Sequence, residues 1–451
     1  MKKCPYCKAS IDDFKSYCPY CEKPLISNLN KRRSESINQI DIESIKTESD
    51  FLNVNGNEPE IYDENLGQQY LKRASFYYRK KESLDALKNL NLAIDHFKET
   101  NDSLNLAISH NELGLIQEEN GYYDDSIFQF EQAIKIFEKI NETSKLILAY
   151  NNLANVYYII KDIENSYEFY NKALQLAQQS NLTSEEIKTS SNLVDILFLL
   201  KEFNKTEKIL NRNLEYFNQI NDFYGSIVTL IKLGKLYYKL NSKNYQKSLE
   251  KLSKAIEAIN KFEKNLSKEV LNQVRWECLF YLGKLHRKIE DFQNSENYFL
   301  RSLDAIQLFE DKESLDQAKI QKNLGKLYID KGDYKNAIEQ FNLSCKIFHK
   351  FGEDFQEARY KFKMAQIYYD QVGNEYEAIN LYEESLEIFE DINYTQKSAE
   401  ILLKLGDIYN NRGNVDLAIS NWSQAKEYYE ILKDEYKATL ITEKIRSLSN
   451  T

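Results

Sequence analysis

The stretch GYYDDSIFQFEQAI, Gly121–Ile134, has a near-copy, GDYKNAIEQFNLSC, beginning at Gly332, and a weaker one, GNVDLAISNWSQAK, beginning at Gly413. Glycine, a small residue, an aromatic and a second small residue stand at matching offsets in each. Aligning the chain on a small residue inside each helical segment extends the match. Ala74, Gly114, Ala154, Val194, Gly234, Gly283, Gly325, Ala365 and Gly406 follow one another at spacings of 40, 40, 40, 40, 49, 42, 40 and 41 residues. A second small residue follows each (Ala86, Ser126, Ser166, Thr206, Ser248, Ser295, Ala337, Ala378, Ala418). Four residues later comes a large one (Leu90, Phe130, Tyr170, Leu210, Leu252, Phe299, Phe341, Tyr382, Trp422).

Small residues let two helices cross closely, and large ones fill the space beside the crossing. Gly121, Gly332 and Gly413, with Lys161 and Lys201, stand where a left-handed residue would end a helix. All four prolines lie at or before Pro59. A proline costs about 3 kcal/mol inside a helix, so the proline-free remainder reads as continuous helical structure. One helix pair cannot bury its apolar face alone, and neighbours must stack.

The order small, Tyr, Gly, aromatic, Ala, Phe, Ala resembles the tetratricopeptide repeat, and the period of about 40 residues resembles its longer-helix form, seen in kinesin light chains. The resemblance implies an all-α fold, a right-handed α-solenoid of helical hairpins. Nine repeats span residues 65–430, best matched in the second, third, seventh and ninth. The proline that commonly closes a repeat is absent, and the fifth repeat carries an insertion, LNSKNYQ (Leu240–Gln246). Residues 431–451 read as a capping helix and tail.

The N-terminal residues 1–25 are different. Cys4, Cys7, Cys18 and Cys21 form two CPYC pairs separated by ten residues, a spacing that wraps one tetrahedral Zn²⁺. The segment resembles short zinc ribbons, with one structural zinc expected, although Lys8 and Glu22 stand where glycine is usual. A disulfide pair and a redox CxxC are the competing readings; the missing secretory pattern and the missing βαβ context weigh against them. Cys278 and Cys345 fall in expected helices and read as small buried packers. Residues 26–64 are polar without apolar periodicity and read as a flexible linker, its Lys31, Arg32 and Arg33 a solvated charge cluster.

The 451 residues carry 42% hydrophobic and 29% charged side chains with a formal charge of −10. That balance disfavours global attraction to nucleic acid or anionic membrane. No apolar run is long enough to span a bilayer, so no membrane insertion is expected, and no apolar secretory region opens the chain, so a cytoplasmic protein is expected. No phosphate-binding glycine loop, nucleophile elbow or HExxH occurs, and His96, His110, His286 and His349 are scattered without metal spacing. The chain is therefore not expected to be an enzyme.

In the resembled family the first helix of each hairpin lines the groove. Counting along those helices places Lys232, Lys235, Lys239, Lys284, Arg287, Lys288, Lys319, Lys322, Lys326, Arg359 and Lys363 there, against Glu277, Asp330 and Asp370. Tyr238, Phe280, Tyr281, Phe362 and Tyr369 share the stripe. A field of that sign steers an acidic segment; the plainer reading is exposed lysine in a lysine-rich chain. Asn151, Asn152, Asn155 and Asn192 take groove positions in the third and fourth repeats, suited to an extended peptide backbone, or else pack between helices. Asn155 and Asn192 match two asparagines of the carboxylate clamp of chaperone-binding members, and Lys232 stands at its arginine. Asn151 and Val228 stand at its lysines, so the clamp is incomplete. The leading expectation is a non-enzymatic scaffold binding a protein or peptide, with an acidic segment favoured. The alternative is a nucleic-acid- or transcription-associated regulator working through the ribbon.

Overall fold

A computed structural model describes residues 66–263, 267–309 and 313–449, together with the backbone of a two-residue antiparallel pair, Lys2–Lys3 with Ser10–Ile11. Apart from that pair, every regular element among the described residues is helical. None of these helices is long and apolar enough to cross a membrane. The chain divides between Asp222 and Phe223 into two compact units.

The first unit holds four hairpins: α1 (Leu66–Arg79) with α2 (Ser83–Glu99), α3 (Ser103–Glu119) with α4 (Tyr123–Ile140), α5 (Thr143–Ile159) with α6 (Ile163–Gln179), and α7 (Thr183–Leu199) with α8 (Phe203–Gln219). The second unit holds five: α9 (Phe223–Leu240) with α10 (Tyr245–Lys261), α11 (Lys268–Lys288) with α12 (Phe292–Phe309), α13 (Leu315–Asp330) with α14 (Tyr334–Lys350), α15 (Asp354–Ile367) with α16 (Glu375–Asp391), and α17 (Thr395–Asn411) with α18 (Val415–Ile431). A last helix, α19 (Glu435–Ser449), packs on α18. The insertion of the fifth repeat becomes a 3₁₀ turn, Ser242–Asn244, and a π turn, Tyr368–Val372, extends α15.

The periodic residues explain the hairpins. The ring of Phe130 packs against Gly114, that of Phe299 against Gly283 and that of Phe341 against Gly325, and Leu252 meets Gly234 in the same way. Serine at the second small position ties the helices together. Its hydroxyl donates to the carbonyl of the first small residue from Ser126 to Gly114 (2.7 Å), Ser166 to Ala154, Ser248 to Gly234 and Ser295 to Gly283 (each 2.8 Å). These hydroxyls are fully buried, so each bond also satisfies a polar group that would otherwise be costly.

The turns follow the same logic. Gly121, Gly332 and Gly413 have positive φ, and so do Lys161 and Lys201. After α5 the amides of Lys161 and Asp162 bond back to the carbonyls of Tyr158 and Tyr157, which closes the helix in a Schellman turn. The Asp162 carboxylate then accepts from the amide of Asn165 and caps α6. After the second helix of each hairpin in the first unit the left-handed residue is asparagine, Asn101, Asn141, Asn181 and Asn221; in the second unit Gly352 and Asn393 take that place.

Within each unit the second helix of a hairpin packs on the first helix of the next. Buried clusters span these joints, for example Ala107, Phe130, Phe137 and Leu153 in the first unit and Phe341, Phe348, Tyr360 and Met364 in the second. Among the described residues, the substantial contacts between alternate helices join first helices: α1 with α3, α3 with α5, α5 with α7, α9 with α11 and α11 with α13. First helices therefore crowd together and form the inner side of each stack.

Candidate functional site

In the second unit the lysines and arginines counted into the stripe stand on α9, α11, α13 and α15. Of the aromatic residues counted into the stripe, Tyr238 and Tyr369 are half-buried and the other three buried, and Tyr360 joins them beneath it. Phe280, Tyr281, Tyr360 and Phe362 are each under 10% exposed. Tyr360 stacks on Phe341 and Phe348, with ring centroids 5.1 and 6.2 Å away. Lysine ammonium groups stand over these rings. Lys284 Nζ lies 4.6 Å from the ring centroid of Tyr238, 5.0 Å from Tyr281 and 5.4 Å from Phe280. Lys322 lies 5.3 Å from Phe348, and Lys322 and Lys326 stand 5.8 and 5.7 Å from Tyr360. Contacts of this kind contribute about 0.5–2 kcal/mol each, more where water is excluded.

Two acids of the stripe are already engaged. Glu277 faces Lys235 at 3.6 Å, and Asp330 accepts from Arg287 Nε at 2.5 Å. Lys319 pairs with Asp316, and Lys363 Nζ reaches Gln366 at 3.4 Å. Lys239, Lys288, Arg359 and Lys363 are exposed, and Lys232 is half-buried. Among the described residues, no carboxylate stands within ion-pair distance of Lys284, Lys322 or Lys326. Burial, and then the charges of Lys326, Lys239, Lys235 and Lys322, push Lys284 down to about 8. Lys322 is lowered to about 8 by burial and by Lys326, Lys319 and Arg359. Lys326 is lowered to about 8 by burial and by Arg359, Arg287 and Lys288. Three half-buried ammonium groups thus repel one another, and an anion placed among them would relieve that repulsion.

The first unit does not present its asparagines as expected. Asn151 and Asn152 are buried. The Asn151 amide donates to Thr189 Oγ1 at 2.8 Å and to the Ile147 carbonyl at 3.0 Å, while Asn152 donates to Asn111 Oδ1 at 3.0 Å. These bonds tie α5 to its neighbours α3 and α7, because adjoining first helices close over short side chains. Both residues are corrected from groove ligands to packing residues. Asn155 accepts from the Tyr170 hydroxyl. Asn192 lines a small cleft with Tyr158, Tyr170 and Asp195. Two of the clamp-like positions, Asn151 and Asn155, are thus already occupied within the first unit.

The same counting passes over the acids of this face. Glu112, Glu118, Glu119 and Asp195 occupy groove positions. Burial pushes the Glu112 carboxyl up to about 7, against the opposing pull of an Asn111 hydrogen bond and the Lys145 charge. The Tyr78 hydroxyl donates to Glu119.

His286 stands at the repeat's tyrosine position, buried, with Nδ1 2.9 Å from Asp291. Cys278 and Cys345 are buried, and burial raises both thiols, Cys345 to about 12. Neither is poised to react. Cys4, Cys7, Cys18 and Cys21, and the Lys31–Arg33 cluster, lie outside the described residues.

Residues 69–139 and 277–350 match a family model described as tetratricopeptide repeat, and residues 147–180 match a second model of the same description. Those three segments carry tetratricopeptide repeats. Residues 368–450 match the model for soluble NSF attachment protein, SNAP. Lys284, Lys322 and Lys326 thus lie within a matched tetratricopeptide segment. No curated protein matches the chain by sequence. Solved structures share the fold. The apo form of RapI is 18% identical, aligned over 64% of this chain and 99% of its own, with a TM-score of 0.50. A STAND signal-transduction ATPase with a tetratricopeptide repeat sensor, from Pyrococcus horikoshii, is 18% identical over 84% of this chain and 56% of its own, with a TM-score of 0.57. A monomeric IFIT1 mutant with Gppp-AAAA is 15% identical over 92% of this chain and 88% of its own, with a TM-score of 0.50. At such identities the likeness is one of fold alone.

Proposed function

We propose that the chain is a non-enzymatic interaction scaffold that grips an acidic segment of a partner protein on the inner side of its second unit. The reading rests on one observation: Lys284, Lys322 and Lys326 stand over aromatic rings without a carboxylate partner among the described residues. Half-buried cations without counter-ions are costly to keep unless a ligand supplies the missing charge. Arg287, Lys288, Arg359 and Lys363 extend the positive field along the helices and would steer such a segment. The zinc ribbon belongs to the same reading as a second contact, in a cytoplasmic protein. Four cysteine thiols in two CxxC pairs are the donor set of a closed structural Zn²⁺ site, and the Lys2–Lys3 and Ser10–Ile11 pairing brackets Cys4 and Cys7 in sequence. Avidity between ribbon and repeats would raise affinity for one partner.

Affinity capture from the native cell, comparing the unaltered chain with a Lys284→Glu, Arg287→Glu, Lys322→Glu variant, tests the reading. Loss of a specific acidic protein supports it, and an unchanged set of partners removes it. Capture of nucleic acid through residues 1–35, with a steep salt dependence, would favour the regulator alternative instead.

A further inference from the structure

The clustering of the three lysines narrows the ligand beyond a generally acidic segment. A run of carboxylates spreads its charge along a chain, about one charge per residue. Here the positive charge is concentrated: Lys322 and Lys326 share the ring of Tyr360, and Lys284 is coupled electrostatically to both. Further cations surround them from every helix of the face: Lys235 and Lys239 on α9, Arg287 and Lys288 on α11, Lys319 on α13 and Arg359 on α15. The acids are few. Glu277 and Asp330 are paired with Lys235 and Arg287, and Glu353, at the start of α15, raises Lys322 only as the last of its influences. Lysine binds phosphate as a point charge from several directions, which suits a group whose negative charge is concentrated in one place.

We propose that Lys284, Lys322 and Lys326 form one binding site for a compact, multiply charged group of the phosphate class. The proposal takes its location from the preceding reading and adds the chemistry of the group held there. Binding there should also draw protons from solvent. Burial and neighbouring positive charge lower each lysine to about 8. A dianion at the centre of the site favours the charged form of all three. A phosphoserine is already fully ionised at pH 8, so protons taken up on its binding belong to the protein.

The test is calorimetric titration of the full chain with three probes: inorganic pyrophosphate, an Asp- and Glu-rich peptide, and the same peptide carrying one phosphoserine. Each is measured at pH 6.5 and pH 8, in two buffers of different ionisation heat. The phosphoserine should strengthen binding about tenfold. With the phosphoserine peptide, protons should be taken up at pH 8 and nearly none at pH 6.5. Lys284→Gln and Lys322→Gln should each abolish pyrophosphate binding and the phosphoserine gain while weakening the plain peptide less. Both variants remove a buried charge, so the helical circular dichroism and melt should persist; if either melts early, the proton count in the unaltered chain decides. Binding of both peptides with equal affinity and no proton uptake overturns the site and leaves the scaffold reading standing. Pyrophosphate binding that depends on Lys284 and Lys322, with neither peptide bound, overturns the scaffold reading and keeps the site. Silence with all three probes overturns both.

Discussion

The buried ring of Phe341 fills the space that a methyl group on Gly325 would need, with Cε1 only 2.6 Å from where that carbon would stand. The ring is fully enclosed, so it cannot swing aside. Gly325→Ala should therefore destabilise the second unit by about 1–3 kcal/mol, despite alanine's better helix propensity. Combining it with Phe341→Leu should recover part of the loss, and urea denaturation of the two single variants and the double variant reads the coupling.

Lys161 holds a left-handed conformation, φ +66°, at the turn between α5 and α6. A side chain there costs roughly 1 kcal/mol relative to glycine. Lys161→Gly should raise stability by about 0.5–1 kcal/mol, while Lys161→Val, with its branched β-carbon, should lower it. Thermal melts of the two variants would move in opposite directions.

Lys284 is held near 8, below its ordinary value, chiefly by burial. Between that value and about 10.4 the unfolded chain binds more protons at this residue than the folded one, so its contribution to stability rises with pH across that window. Lys284→Met should be more stable than the unaltered chain by about 1–2 kcal/mol at pH 7. The gap should narrow by pH 9.5, read from urea midpoints at the two pH values.

Glu112 behaves in the opposite sense, because its carboxyl is raised to about 7 in the folded state. Its favourable contribution is complete below the ordinary carboxyl range and is lost as pH rises through 7. Glu112→Gln should gain stability over the unaltered chain at pH 8 and show no gain at pH 4. Equal differences at both pH values would contradict the burial of that carboxyl.

Zinc should bind at one ion per chain through Cys4, Cys7, Cys18 and Cys21. Cys4→Ser with Cys7→Ser should abolish it by metal analysis. A chelator should leave the helical circular dichroism of the repeats nearly unchanged, since their cores are built from residues beyond 65.

The hairpins were legible because packing needs a small residue opposite a large one, and that need repeats: Gly283 with Phe299, Gly325 with Phe341. The left-handed turns at Gly121 and Lys161 were legible for the same reason. The turns at Asn101, Asn141, Asn181 and Asn221 went unread although they recur every 40 residues. The inner face was only half legible. Asn151 and Lys322 occupy the same position in their repeats, three residues before the small residue. Asn151 is buried and bonded to Thr189, whereas the longer stem of Lys322 carries its charge over the ring of Phe348. Register fixes the direction in which a residue leaves the helix, but side-chain length decides whether it emerges from between two adjoining helices.

The joints of each stack, second helix upon the following first helix, connect segments that are close in sequence. Such a chain has low contact order: it closes like a zipper, with little loop entropy lost at any step. Stability is then a sum along a line rather than a property of one centre. Fraying of α19 from α18 would leave the lysine-bearing helices α11 and α13 folded, so hydrogen exchange should be fastest at that end and slow at the joint between α12 and α13.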